Sequence, residues 1–178
     1  MFESADVVID FSSPRAIKNN IEFSIYRKTG LVVGTTGLNE NNLKLLKNAS
    51  KKIPILVSSN MSLSVNLLFN LVERTAFILK DSDYDIEIAE THHKHKKDAP
   101  SGTALSLGKF AAKGRKTNFK KVSILNRTSK VMIRKKGDIG FSVTRGGEVA
   151  GEHTISFIGP HDRIELIHKA SNRSIFVK

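Results

Sequence analysis

The first sixty residues alternate between short apolar runs and amphipathic stretches, and this alternation limits the possible folds more than any other property of the chain. Asp6-Val7-Val8-Ile9-Asp10-Phe11 reads as a short buried strand. Ser13-Pro14 then makes a helix start, with serine as cap and proline at the first helical position, where its missing N–H is no loss. Through residues 16–28, Ile17, Ile21 and Ile25 recur at four-residue spacing and form one apolar stripe. Leu31-Val32-Val33 is a second strand that ends abruptly in Gly34-Thr35-Thr36-Gly37. Residues 39–50 carry Leu43, Leu45 and Leu46 on a second helix. Ile53-Pro54-Ile55-Leu56-Val57 is a third strand, its proline near the beginning, where a lost donor matters least. Strand–helix–strand–helix–strand with such short links argues for parallel strands wrapped by helices.

The pattern changes after Ser58-Ser59-Asn60-Met61. Residues 62–80 read as one long apolar helix. Residues 84–91 alternate, with Tyr84, Ile86 and Ile88 on one side and Asp85 and Glu87 on the other, which is a half-buried strand. Residues 101–113 form a helix capped by Ser101. From residue 122 to 170, apolar positions alternate between Gly-bearing turns at Gly137-Asp138 and Gly146-Gly147, which predicts a mostly antiparallel sheet. The expected organisation is therefore an α/β part over residues 1–61 and an α+β part over residues 62–178.

The net charge of +12 raises the question of nucleic acid. The basic residues run from Lys18 to Lys178 without gathering in one arm, and two tyrosines with no tryptophan leave few stacking platforms. A small anionic substrate or a phosphate-bearing cofactor explains the excess at least as well, so neither a nucleic-acid nor a membrane partner is expected. No apolar run approaches the ~20 residues that a membrane span needs. The Met1-Phe2-Glu3-Ser4 start lacks a secretory pattern, and the chain has no cysteine. Both fit a cytoplasmic location.

Chemistry concentrates in Glu90-Thr91-His92-His93-Lys94-His95-Lys96-Lys97-Asp98-Ala99-Pro100-Ser101-Gly102-Thr103-Ala104. Imidazoles that titrate near neutrality stand beside ammonium groups and a helix start, where free amides and the dipole favour an anion. Ordinary capping needs only Ser101 and leaves Gly102 and Thr103 unexplained. Metal ligation by His92, His93 and His95 is disfavoured, because the neighbouring ammonium groups repel a cation. Proton transfer to a bound acid is the sharper reading. The Gly34-Thr35-Thr36-Gly37 turn sits where open α/β sheets place ligands, and a flat ring can approach a glycine backbone there. The same four residues also read as a plain tight turn.

Taken together, these segments resemble the 4-hydroxy-tetrahydrodipicolinate reductase (dihydrodipicolinate reductase) family. Residues 90–104 carry its signature. Val8-Ile9-Asp10-Phe11-Ser12, Gly34-Thr35-Thr36-Gly37, Asn60-Met61-Ser62, Arg145-Gly146-Gly147 and Gly151-Glu152-His153-Thr154 support it, as do Arg163-Ile164-Glu165 and His168-Lys169-Ala170-Ser171. The resemblance implies an oxidoreductase of lysine and diaminopimelate biosynthesis that uses NADH or NADPH to reduce a cyclic dicarboxylate. It implies a partial Rossmann-like dinucleotide-binding domain, followed by an α+β substrate-binding domain whose open sheet assembles a homotetramer. By the same resemblance, His92 is the proton donor or acceptor and Lys96 the second catalytic group. His93, Gly102 and Thr103 bind substrate. Gly34, Thr35 and Thr36, with Ser58, Ser59, Asn60 and Met61, contact the cofactor.

The family's glycine-rich pyrophosphate turn has no counterpart here, and the sequence ends at Phe176-Val177-Lys178, where the family continues into helices. The expectation is an internal fragment with weak cofactor binding and little activity alone. A remnant that assembles without catalysing is the competing reading; the intact proton-transfer block weighs against it. Ser64 stands where many members have glycine.

Overall fold

The structure is a computed structural model that describes residues 5–127 and 133–172. The readings of residues 1–4 and 176–178 fall outside that range. The chain divides into two units, residues 1–61 and 62–178.

The first unit contains β1 (Val7–Asp10), α1 (Ile17–Arg27), β2 (Gly30–Val33), α2 (Glu40–Ala49) and β3 (Ile55–Val57). The strands are parallel in the order β1-β2-β3, as helix crossovers between short strands dictate. Ile17, Ile21, Leu31, Val33, Leu46, Ala49 and Ile53 form its core. Asn39 caps α2 through a reciprocal box with Asn42, which satisfies two of the end amides. The predicted cap at Ser13 is not used: α1 begins at Ile17 with no side-chain cap. The Ser13 carbonyl instead accepts the Ala16 N–H at 3.0 Å, closing a turn ahead of the helix. β1 is also less buried than expected. Val7 and Ile9 are 53% and 67% exposed while Asp10 is buried, because only one face of this strand is packed within its unit.

The second unit contains α3 (Leu63–Ile78), β4 (Asp85–His92), α4 (Gly102–Gly114), α5 (Phe119–Val122), β5 (Ser123–Ile124), β6 (Ile139–Arg145), β7 (Glu152–Ile158) and β8 (Arg163–Lys169). Its sheet runs β5-β6-β4-β7-β8. The β4–β7 and β7–β8 ladders are antiparallel. The β5–β6 and β6–β4 ladders are parallel, as the helical passage between β4 and β6 requires. One face packs Ile86, Ile88, Ile139, Phe141, Ile155 and Phe157 against Val65, Leu68, Phe69 and Val72 of α3 and Leu107 and Ala111 of α4. Ser62 and Ser101 cap α3 and α4 by accepting the Val65 and Ala104 amides.

β6 and β7 follow one another in sequence, yet β4 lies between them. The Gly146-Gly147 connection is therefore an arch across the carboxyl end of β4 and not a hairpin turn. It is pinned there by Gly146 N–H to the His92 carbonyl (3.0 Å) and Lys94 N–H to the Gly147 carbonyl (3.2 Å). The arch sets the site.

Candidate active site

Alternation along β4 puts Ile86, Ile88, Glu90 and His92 on the covered face, all buried. The first two meet the apolar core. Beyond Ile88 the same face turns polar, since register sets Glu90 beside His153 of β7 and His92 beside Arg145 of β6. Paired residues share a face, so two strands deliver a cation and an imidazole to the carboxylate on the third.

The Glu90 side chain has no exposed surface, and His92 keeps 10% of its own. Glu90 Oε1 accepts the Ser101 N–H at 2.9 Å and Arg145 Nη2 at 2.9 Å, while Oε2 takes His92 Nδ1 in a short contact. Burial by itself raises a carboxyl pKa. Hydrogen bonds from His92, Arg145 and the Ser101 amide outweigh it and hold Glu90 down at about 2. His153 stands edge-on to His92 with ring centroids 5.1 Å apart, and its Nε2 lies 3.1 Å from the Ser101 hydroxyl. Burial, then the nearby His92, pushes His153 down to about 4, so it is neutral at pH 7. Gly151 stands on the other side of the His92 ring. Its φ of +151° disfavours a side chain, and a Cβ there would stand 3.0 Å from His92 Nε2.

Residues 93–100 carry the remaining candidates. Lys96 Nζ pairs with Asp98 Oδ1 at 2.7 Å. Burial raises the Asp98 pKa, but Lys96 and the amides of Asp98 and Gly102 more than reverse this and lower it. The predicted anion cradle of Lys96 and Gly102 thus holds an internal carboxylate. Arg145 Nη2 also donates to the Asp98 carbonyl at 2.7 Å, which ties this loop to Glu90. Thr103 follows in the first turn of α4, partly exposed. His93 goes elsewhere: with His95, Glu148, Ala150, Ser171 and Asn172 it lines a cleft of about 440 Å³.

Sequence reasoning named His92, Lys96, Gly102 and Thr103 and missed Glu90, Arg145, His153 and Asp98 as site residues. The signal for Glu90 was present: a carboxylate on the apolar phase of an alternating strand is buried and must have partners. Glu90, His92 and His153 also bring three ligand-type atoms within 4.8 Å of one another. Glu90 already accepts three donors, and His153 Nε2 already meets Ser101.

In the first unit, the turns after β2 and β3 lie side by side, joined by Ser58 N–H to the Val33 carbonyl at 3.1 Å. The ring beside Gly34 is that of Phe11, whose Cε1 would stand 2.1 Å from a Cβ there. The Thr35 hydroxyl is spent on Asp10 Oδ1 at 3.0 Å. Thr36 and Ser59 are exposed, and Ser58 Oγ donates to the Asn60 carbonyl at 2.6 Å. Thr36 and residues 58–61 are thus the members of this set with at least partly exposed surface, Gly34 and Thr35 being buried. They fit a planar polar ring at the carboxyl ends of parallel strands.

The family profiles described as dihydrodipicolinate reductase, N-terminus, and dihydrodipicolinate reductase, C-terminus, match residues 1–61 and 64–178. The 4-hydroxy-tetrahydrodipicolinate reductase of Zymomonas mobilis is 47% identical over 99% of this chain and 69% of its own length. That of Buchnera aphidicola is 46% identical over 97% of this chain and 63% of its own length. Among solved structures, the dipicolinate-bound dihydrodipicolinate reductase from Paenisporosarcina sp. TG-14 superimposes with a TM-score of 0.61 at 24% identity. That match covers 96% of this chain and 64% of the other. The chain therefore spans roughly two thirds of the relatives it matches.

Proposed function

The chain belongs to the dihydrodipicolinate reductase family, and from that premise we propose that it serves the reduction of 4-hydroxy-tetrahydrodipicolinate to tetrahydrodipicolinate. This is a step of lysine and diaminopimelate synthesis. NADH or NADPH, when bound, supplies a hydride from the nicotinamide ring. Thr36 and residues 58–61 are the contacts we assign to that ring, with Gly34 and Thr35 shaping the turn beneath them.

As the substrate ring is reduced with loss of water, its nitrogen gains electron density and needs a proton. His92 supplies it. Lys96 holds a substrate carboxylate and adds positive charge, and Gly102 and Thr103 meet the same carboxylate at the amino end of α4, where amides and dipole favour an anion. His93 contributes from the adjoining cleft. The observation that carries this reading is the tie from Glu90 to both the His92 ring and the Ser101 amide that opens α4. Proton donor on β4 and anion cradle at the start of α4 are thus held to one carboxylate.

A homotetramer is the assembly we favour. On the sheet face opposite α3 and α4, the rung of Ala89, Ser142, Thr154 and Ile167 presents small or apolar side chains with exposed surface, flanked by the charged side chains of Glu87 and Glu165 on one side and Glu152 and Lys169 on the other. No helix among the described residues is long and apolar enough to cross a membrane, and together with the lack of cysteine this fits a cytoplasmic enzyme. Calorimetric titration with dipicolinate, a planar dianion resembling the substrate, tests the assignment. Binding that is lost in Lys96→Ala is expected. Binding unchanged in that variant contradicts it.

A further inference from the structure

Glu90 is fully buried and its carboxylate is ionised, yet in the reaction as proposed it meets neither substrate nor cofactor. Filling the space does not require it, since a buried ion pair can often be replaced by apolar side chains without loss of stability. A leucine or methionine would continue the stripe of Ile86 and Ile88. Its three donors, moreover, come from three different elements: His92 from β4, Arg145 from β6 and Ser101 from the start of α4. Each is connected to the proposed chemistry. His92 is the proton donor. Ser101 directly precedes Gly102 and Thr103. Arg145 reaches past Glu90 to the Asp98 carbonyl and so fixes the loop that carries Lys96.

We propose that Glu90 is a positioning residue that keeps the His92 proton on Nδ1, making Nε2 the nitrogen that gives up and regains the catalytic proton. The proposal rests on the reading of His92 given above. An ionised carboxylate is purely an acceptor, so the imidazole nitrogen facing it must carry a hydrogen. When the imidazolium transfers its Nε2 proton to the substrate nitrogen, the N–H bond at Nε2 breaks and a new N–H bond forms on the substrate. The ring is left as the neutral Nδ1–H tautomer, the form Glu90 favours, until solvent returns a proton to Nε2. Arg145, also hydrogen-bonded to Glu90, offsets the carboxylate charge so that it persists without exposure to water. On the far side of the ring, Nε2 has no hydrogen-bonding partner among the described residues. Gly151, lacking a Cβ, leaves it uncovered.

A carboxylate that merely pinned the sheet would leave the choice of tautomer and the rate unaffected by an isosteric neutral replacement. Glu90→Gln makes that distinction. With its amide oxygen still accepting from Ser101 and Arg145, the glutamine NH2 group faces Nδ1 and donates to it, so the neutral ring must carry its hydrogen on Nε2. Long-range proton–nitrogen correlation spectra of labelled histidine in the intact chain read this directly. Expected are the Nδ1–H pattern for His92 in wild type and the Nε2–H pattern in Glu90→Gln. Turnover should fall about ten-fold or more with KM changed less than about three-fold, and Glu90→Asp should recover the wild-type tautomer. An Nε2–H pattern in wild type overturns the proposal, as does an unchanged tautomer in Glu90→Gln. Should Glu90→Gln fail to fold, the wild-type spectrum decides alone. Dipicolinate binding by wild type reports separately on the functional reading, so the two failures are distinguishable.

Discussion

Two buried carboxylates at carboxyl ends of strands, Asp10 in the first unit and Glu90 in the second, are held in contrasting ways. Among the described residues, Asp10 accepts from neutral donors: the amide and hydroxyl of Ser12, the Asn20 side chain and the Thr35 hydroxyl. Burial raises its pKa, and these bonds together outweigh the increase and lower it. Glu90 accepts one amide and two side chains able to carry positive charge. The Asp10 donors lock a turn in place. The Glu90 donors couple a proton-transferring ring to a guanidinium and a helix start. Equal burial therefore does not mean an equal role; the nature of the partners sets it.

The largest expected effect is on His92. His92→Gln should lower turnover by about 10²- to 10⁴-fold, with dipicolinate affinity kept within a few-fold. Parallel loss of affinity with intact turnover would break the contrast, because His92 would then be a binding group. Acid should next separate the two sites. His153, lowered to about 4 from 6.5, contributes stability that is complete above pH 6.5 and is lost as pH falls toward 4. Glu90, lowered to about 2 from 4.5, contributes stability present above pH 4.5 and lost as pH falls toward 2. Denaturant titrations across pH 7 to 4 should show the second unit losing on the order of 2 kcal/mol, and His153→Gln should flatten that slope.

Asp10→Asn should cost about 1 kcal/mol in the first unit through weakened bonds to Ser12 and Asn20, with dipicolinate binding unchanged. A clear loss of binding in that variant would erase the distinction between the two carboxylates. The smallest effect belongs to Asp98, whose carboxylate occupies groups assigned to substrate. Asp98→Asn should tighten dipicolinate binding by about two- to five-fold, as expected for removing a partly exposed ion-pair partner. Weaker binding in a calorimetric titration would instead make Asp98 a contributor to the site.

The parallel pairing of β1, β2 and β3 was legible because short strands linked by helices leave few alternatives, and the cap at Ser101 because a local hydrogen bond determines it, whereas the expected cap at Ser13 is not used. The signature from Glu90 to Ala104 exposed His92, Lys96, Gly102 and Thr103 because they are neighbours in the chain. Arg145 and His153 were recognisable only as family markers. Their place beside Glu90 depends on β4 lying between β6 and β7, a long-range pairing that periodicity does not encode. Nor does the glycine at position 34 announce that the ring it accommodates is that of Phe11. Ser64, noted as unusual in sequence, hydrogen-bonds through its hydroxyl to His168 Nε2 at 3.1 Å and to Ser62 Oγ at 2.9 Å. It thereby links the start of α3 to β8.

Titrating the labelled chain with dipicolinate while following the six histidine rings by NMR tests most directly whether a dianion binds next to the proton donor. Saturable shifts of the His92 and His93 ring resonances, with the remote His161 unmoved, are the predicted result. Rings of His92 and His93 that stay in place while dipicolinate binds elsewhere would contradict it.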